Sequence, residues 1–202
     1  MNTPQCKVLG ITGGIGSGKS VVARCLRNMD IPIYNCDDEA KRLNNTHPAI
    51  KQALTDLIGN EVYDTDGRLN KQFLAKYLFA DEQHAAMVNA IIHPHVMDDF
   101  LQWKLRQHTP WVAIESAILF ESGFDHLADK TVTVSAPEEI RIKRAVKRDH
   151  TSPEAIRQRM ARQMPDNEKA KRADYTLLND GEQPIIPQIL DILANLPCEI
   201  PL

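Results

Sequence analysis

Val8-Leu-Gly-Ile-Thr12 runs straight into Gly13-Gly-Ile-Gly-Ser-Gly-Lys-Ser20, and the helix-like stretch Ser20–Met29 follows. The middle segment is the full G-x-x-x-x-G-K-[ST] pattern, placed between a strand-like run and a helix-like one. Successive backbone N–H groups must wrap phosphate oxygens there, and a Cβ would block the approach or forbid the φ angles. The helix that starts there adds its positive dipole end. Lys19 supplies a mobile ammonium for the β- and γ-phosphates, and Ser20 a hydroxyl for Mg²⁺. Gly14, Ile15, Gly16, Ser17, Gly18, Lys19, Ser20 and Val21 therefore read as the ATP contact segment.

Working outward, 202 residues suit one α/β domain with insertions. The 43% hydrophobic and 25% charged content is ordinary for a globular chain. No apolar run approaches the roughly 18 residues of a membrane span, so no membrane partner is expected. Met1–Lys7 lacks the apolar stretch of a signal peptide. Cys6, Cys25, Cys36 and Cys198 are scattered without a C-x-x-C pair, which suits reduced thiols and a cytoplasmic location. A net charge of −3 argues against a general nucleic-acid binder. It hides an asymmetry, because 141–172 alone carries seven Arg and four Lys against four acids. A cationic segment beside a phosphate loop suggests further phosphate contacts; the alternative is a solvated helix face.

Lys7–Thr12 reads as a buried first strand and Lys19–Met29 as the helix behind it. Ile31–Tyr34 is a short second strand ending in Asn35-Cys-Asp-Asp-Glu39. Ligands of open α/β sheets bind at that strand end, and a strand beside the first would bring Asp37 towards the γ-phosphate. Asp38 and Glu39 fit better as first-turn helix acids. From Thr46 to His108 the pattern is mostly helical, too long for a simple crossover, and reads as an inserted substrate-binding lobe. Pro48 opens a helix that Gly59 closes, and Ile92-His-Pro-His95 interrupts a later one. Trp111–Phe120 is the expected third strand, with Glu115 a candidate Walker B acid for the metal or else a strand-end residue facing water. Thr131–Ser135 and Ala173–Leu178 complete five strands, and Ile185–Leu196 a closing helix. Between the last two strands, Arg141, Arg144 and Arg148 share one helix face, and Arg157, Arg159 and Arg162 a second helix. An Arg-rich helical hairpin in that position is what a closing lid would look like.

A phosphate loop, a carboxylate after strand two, an inserted helical lobe and a cationic lid make a small-molecule phosphotransferase. Phosphoryl transfer needs in-line positioning, charge neutralisation and a base for the incoming hydroxyl. Lys19, Mg²⁺ and the lid arginines neutralise charge, and Asp37 is the candidate base.

These residues resemble the dephospho-coenzyme A kinase family. Gly10–Ser20 is close to its first motif, Asn35-Cys-Asp37 is similar to its Asp-Ala-Asp, and Ile92-His-Pro94 to its His-Pro signature. Leu119-Phe-Glu121 looks like the end of its Pro-Leu-Leu-Phe-Glu motif. Lys143-Arg144 through Arg148-Asp149, Gln163, Ala173-Asp-Tyr175 and Asn179-Asp-Gly181 are similar to its lid and last strand. The resemblance covers nearly the whole chain in order. It implies ATP-dependent phosphorylation of the ribose 3′-hydroxyl of dephospho-coenzyme A, with Mg²⁺. It implies a three-layer P-loop NTPase fold with a five-stranded parallel sheet: core 1–34, 109–145 and 173–202, helical coenzyme A lobe 35–108, lid 146–172. On matching positions, Asp37, Lys19 and Arg144 would be catalytic, and Arg148 and Asn179 would join the ATP contacts. Asp37, His93, Pro94 and Glu121 would face the acceptor, and Ser20 and Glu115 the metal. A monomer or weak homo-oligomer without nucleic-acid partners is expected.

The chain departs from the pattern at Asn35 (Asp in the family), Glu115 (Asp), Ala117 (Pro), Val21 (Thr) and Asn70-Lys71 (Asp-Arg). None of these removes Lys19, Ser20, Asp37 or Arg144. A kinase of another small acceptor would share the core but not the His-Pro segment. A GTPase switch would carry Asn-Lys-x-Asp, which is absent, and the basic segment lacks the interleaved aromatics of a nucleic-acid enzyme.

Overall fold

The structure, a computed structural model, describes residues 6–197; Cys198 and the first five residues lie outside the described residues. Five strands form one parallel sheet: β1 (Lys7–Thr12), β2 (Ile33–Asn35), β3 (Trp111–Glu115), β4 (Lys130–Ser135) and β5 (Tyr175–Leu178), in the order β2-β3-β1-β4-β5. Unbroken apolar runs make strands that are buried on both faces, as a parallel sheet requires, and every residue of β3 is buried. β1 lies in the middle, in register with β3 (Ile11 opposite Glu115) and with β4 (Thr12 opposite Thr133). The order of the strands reverses about β1, so the loop leaving its C-terminal end stands at the switch point where such sheets bind ligands.

Two helices cover one face of the sheet, α1 (Lys19–Arg27) and α9 (Ile185–Ala194). Val22 and Leu26 of the first and Ile189 and Ile192 of the second pack on Leu9, Ile11, Val132, Val134 and Leu177. At Gly10, on the opposite side of β1, a Cβ would lie 2.9 Å from Leu119 and 3.1 Å from Ala128, so that side is closely covered too.

The chain divides into two compact units. The sheet unit ends at Tyr34 and resumes at Gln107, and Asn35–Arg106 forms the other. That second unit holds α2 (Cys36–Thr46), α3 (Pro48–Ile58), a single 3-10 turn at Asn60–Val62, α4 (Lys71–Ala80) and α5 (Glu82–Lys104). Pro48 stands at the first position of α3, and Gly59 ends it at φ 114°, a conformation closed to most side chains. Val88, Ile92, Val96 and Phe100 are buried at every fourth position of α5. This stripe explains a difference from the sequence reading. Pro94 lies inside a continuous α5 and does not split it. Proline removes one backbone hydrogen bond, while four buried apolar side chains keep both halves on the core.

The third strand also differs, stopping at Glu115 where the sequence suggested Phe120. Ser116 Oγ accepts from the Ile118 N–H at 3.2 Å, and Ser122 Oγ donates to the Ile118 carbonyl at 2.7 Å. These local bonds curl the apolar run Ile118–Phe120 into turns. The cationic segment is three helices, α6 (Glu138–Asp149), α7 (Pro153–Met160) and α8 (Asp166–Arg172). Ser152 caps α7, its side chain accepting from the Ala155 N–H at 3.2 Å.

Candidate active site

The loop Gly13–Gly18 bends where only glycine fits. Gly16 and Gly18 have φ of 79° and 96°. A Cβ on Gly18 would collide with the Asn179 amide, and one on Gly16 with the Arg141 backbone. Gly18 is also the N-cap of α1 and offers no side chain to its first N–H groups, and no acid stands in the first turn. With no side chain capping it, the positive dipole end of this helix is thus left for an external anion. Thr12 Oγ1 and Ser17 Oγ, both buried, have no hydrogen-bond partner within the described residues. A close glycine cradle, an uncapped helix end and unpartnered buried hydroxyls fit a triphosphate.

The fit to Mg²⁺ rests on Ser20 and Glu115. Ser20 is exposed in the first turn of α1, and Glu115 ends β3 beside Ile11, at 5% exposure. Among the described residues no group of three or more His, Cys, Asp or Glu side chains forms a cage. A hydroxyl and a carboxylate fit Mg²⁺, which is usually held by one or two protein groups together with phosphates and waters.

The arginines of the cationic segment part company in the structure. Arg141 is buried, ion-paired with Asp166, and its Nε donates to the Ile15 carbonyl at 3.0 Å. Burial pushes the Asp166 carboxyl above its usual range, against the pull of the Arg141 charge. Arg144 donates to the Asn179 carbonyl at 2.9 Å, and Asn179 Nδ2 donates to the Ser17 carbonyl at 2.7 Å. Arg148 and Arg159 both bind Asp149, at 2.7 and 2.9 Å. The paired Arg148 side chain holds the Asp149 carboxyl below its usual range. Arg157 is exposed, 3.7 Å from Glu154.

Two side chains tie this segment to the site in ways the sequence barely hints at. Gln163 Oε1 accepts from the Ile15 N–H at 3.1 Å. Lys169 is wholly buried, donating to the Ala117 carbonyl at 2.5 Å and pairing with Glu121 at 3.0 Å. Glu121 Oε1 also accepts from the Met164 N–H at 2.8 Å. Gln163 entered only through the family resemblance. Nothing in Asp166-Asn-Glu-Lys-Ala-Lys-Arg172 distinguishes Lys169 from its solvated neighbours.

In the other unit, α2 starts at Cys36 and carries Asp37, Asp38 and Glu39 in its first turn. Asn35 is its N-cap, accepting from the Asp38 N–H at 3.0 Å, which gives that departure from the family pattern a structural role. Asp37 is exposed. His93 and Pro94 sit midway along α5, and burial pushes the half-buried His93 imidazole below its ordinary value. Nearby in sequence, the His95 ring lies 4.3 Å from that of His47.

Comparison with known proteins matches the dephospho-CoA kinase family profile to residues 7–184. A dephospho-CoA kinase of Bacteroides fragilis is 51% identical over 93% of this chain and 92% of its own. A crystal structure of TT1252 from Thermus thermophilus superimposes with a TM-score of 0.82 at 33% identity, covering 96% of this chain and 100% of that one. The dephospho-CoA kinase of Campylobacter jejuni gives 0.67 at 19% identity over 94% and 96%, a likeness of fold.

Proposed function

This chain belongs to the dephospho-CoA kinase family, and from that premise we propose how its own residues perform the ATP-dependent phosphorylation of dephospho-coenzyme A. The observation that carries the reading is the Gly13–Ser20 cradle, closed to a Cβ at Gly13, Gly14, Gly16 and Gly18 and built on an uncapped helix end. Gly14–Val21 hold the ATP triphosphate, and Lys19 balances its charge. Ser20 and Glu115 would hold Mg²⁺, which when bound would supply further charge neutralisation at the phosphates. Asp37, two residues past the end of β2, takes the proton of the ribose 3′-hydroxyl as that oxygen attacks the γ-phosphorus in line. The β–γ bridging bond breaks and ADP leaves.

Arg144 and Arg148 stabilise charge on the transferring group, and Asn179 lies towards the adenine. His93, Pro94 and Glu121 stand on the acceptor side, Glu121 held through Oε1 by Lys169. The core is 1–34, 109–145 and 173–202, the acceptor lobe 35–108, and the lid 146–172, which excludes water. The scattered cysteines, with no C-x-x-C pair, support a cytoplasmic setting. Among the described residues no helix is long and apolar enough to cross a membrane. We assign a monomer or weak homo-oligomer without nucleic-acid partners.

The test is product identification by mass spectrometry with ATP, Mg²⁺ and dephospho-coenzyme A, for wild type and Asp37→Asn. One phosphate gained on the 3′-hydroxyl, and a loss of roughly 10²–10⁴-fold in the variant, is expected. A variant as fast as wild type would remove Asp37 from the base role.

A further inference from the structure

Ile15 stands between Gly14 and Gly16, the two residues least able to fix their own backbone. Its conformation is set from outside. The Ile15 N–H donates to Gln163 Oε1 at 3.1 Å, and its carbonyl accepts from Arg141 Nε at 3.0 Å. Its side chain packs on Ile142, Ala145 and Ile156 of α6 and α7. Asp166 fixes the far edge of the Arg141 guanidinium, and the pair crowds Gly14 so closely that a side chain there would strike both. Arg141 is 7% exposed, so its charge is committed to these partners.

We propose that Arg141 and Gln163, with Asp166 behind them, are positioning residues that hold the phosphate loop in its ATP-binding form by clamping the Ile15 peptide groups from both sides. The clamp spans the two peptide units flanking Ile15, and so aims the neighbouring N–H groups before nucleotide arrives. A loop of this composition would otherwise sample many conformers, and each binding event would have to select among them. The proposal rests on the reading of Gly13–Ser20 as the ATP site.

Gln163→Met keeps length and removes the acceptor. In the ligand-free protein, the Ile15 amide should lose its protection from hydrogen exchange. The dissociation constant and KM for ATP should rise about fivefold. The KM for dephospho-coenzyme A should stay at its wild-type value, and the melting temperature should fall by only a few degrees. Arg141→Gln combined with Asp166→Asn removes both charges together, and so leaves no buried ion alone. It should raise the ATP dissociation constant by roughly tenfold or more. Wild-type ATP affinity in both variants would overturn the proposal. So would equal losses for both substrates accompanied by a larger fall in melting temperature, the pattern of a purely structural role. ATP binding is read by calorimetry, independent of turnover. Failure of the wild type to phosphorylate dephospho-coenzyme A would therefore count against the acceptor, not the clamp.

Discussion

Gly18 adopts a φ of 96° against the Asn179 amide, which itself holds the Ser17 carbonyl. Gly18→Ala must strain the backbone and displace that amide, so ATP affinity should fall by at least about a hundredfold in calorimetry. Lys169→Met should cost about 2–4 kcal/mol in urea unfolding, because Glu121 and the Ala117 carbonyl lose a buried partner. His93 predicts a pH effect. Its folded value lies below the ordinary one, so as pH falls through about 6.5 the unfolded chain takes the proton first. Stability from this group is full above that range and is lost as pH drops towards the folded value. His93→Gln should flatten the urea midpoint between about pH 7 and 5 relative to wild type. At this scale the phosphate loop was legible in the sequence, since its chemistry is written in eight adjacent residues. Arg141 and Lys169 were not, because partners 126 and 52 positions away decide their roles.

Helices and strands announced themselves where local rules suffice. Ser152-Pro153 starts α7 as its cap chemistry requires, and Ser152→Ala should cost about 1 kcal/mol, read as a lower midpoint in urea. Proline was the misleading signal. The rule that it ends helices is local, whereas the buried Val88–Phe100 stripe that keeps α5 whole is tertiary. Pro94→Ala restores a helix donor and removes a ring clash, so the melting temperature should rise. If Pro94 shapes the acceptor side as proposed, the KM for dephospho-coenzyme A should rise with it. The third strand misled in the opposite sense. Apolar content extended it to Phe120, but Ser116 and Ser122 bonds to nearby backbone turn the chain after Glu115.

At the scale of the molecule, ATP binds the folded form, so it should raise apparent stability by about 2.7 kcal/mol at a hundred times its dissociation constant. For a chain of this size that is a rise of roughly 5–10 °C in melting temperature by scanning fluorimetry. The five-stranded parallel sheet and the family followed from motifs in sequence order. The order of the strands did not, since the sequence suggested the second strand beside the first, whereas β3 lies between β1 and β2. The split after Tyr34 and before Gln107 also has a kinetic meaning. β2 and β3 are neighbours in the sheet, and the Ala113 N–H donates to the Pro32 carbonyl at 2.8 Å, yet the whole Asn35–Arg106 unit lies between them. Zipping that edge from an open chain must close a loop of some seventy residues, and each halving of its effective length returns about 0.6 kcal/mol. A helical insert built from near-neighbour contacts forms fast and shortens the gap before the strands meet. Pulse-labelled hydrogen exchange during refolding should therefore find α2–α5 amides protected before those of β2. The reverse order would mean that the sheet edge assembles without help from the segment it encloses.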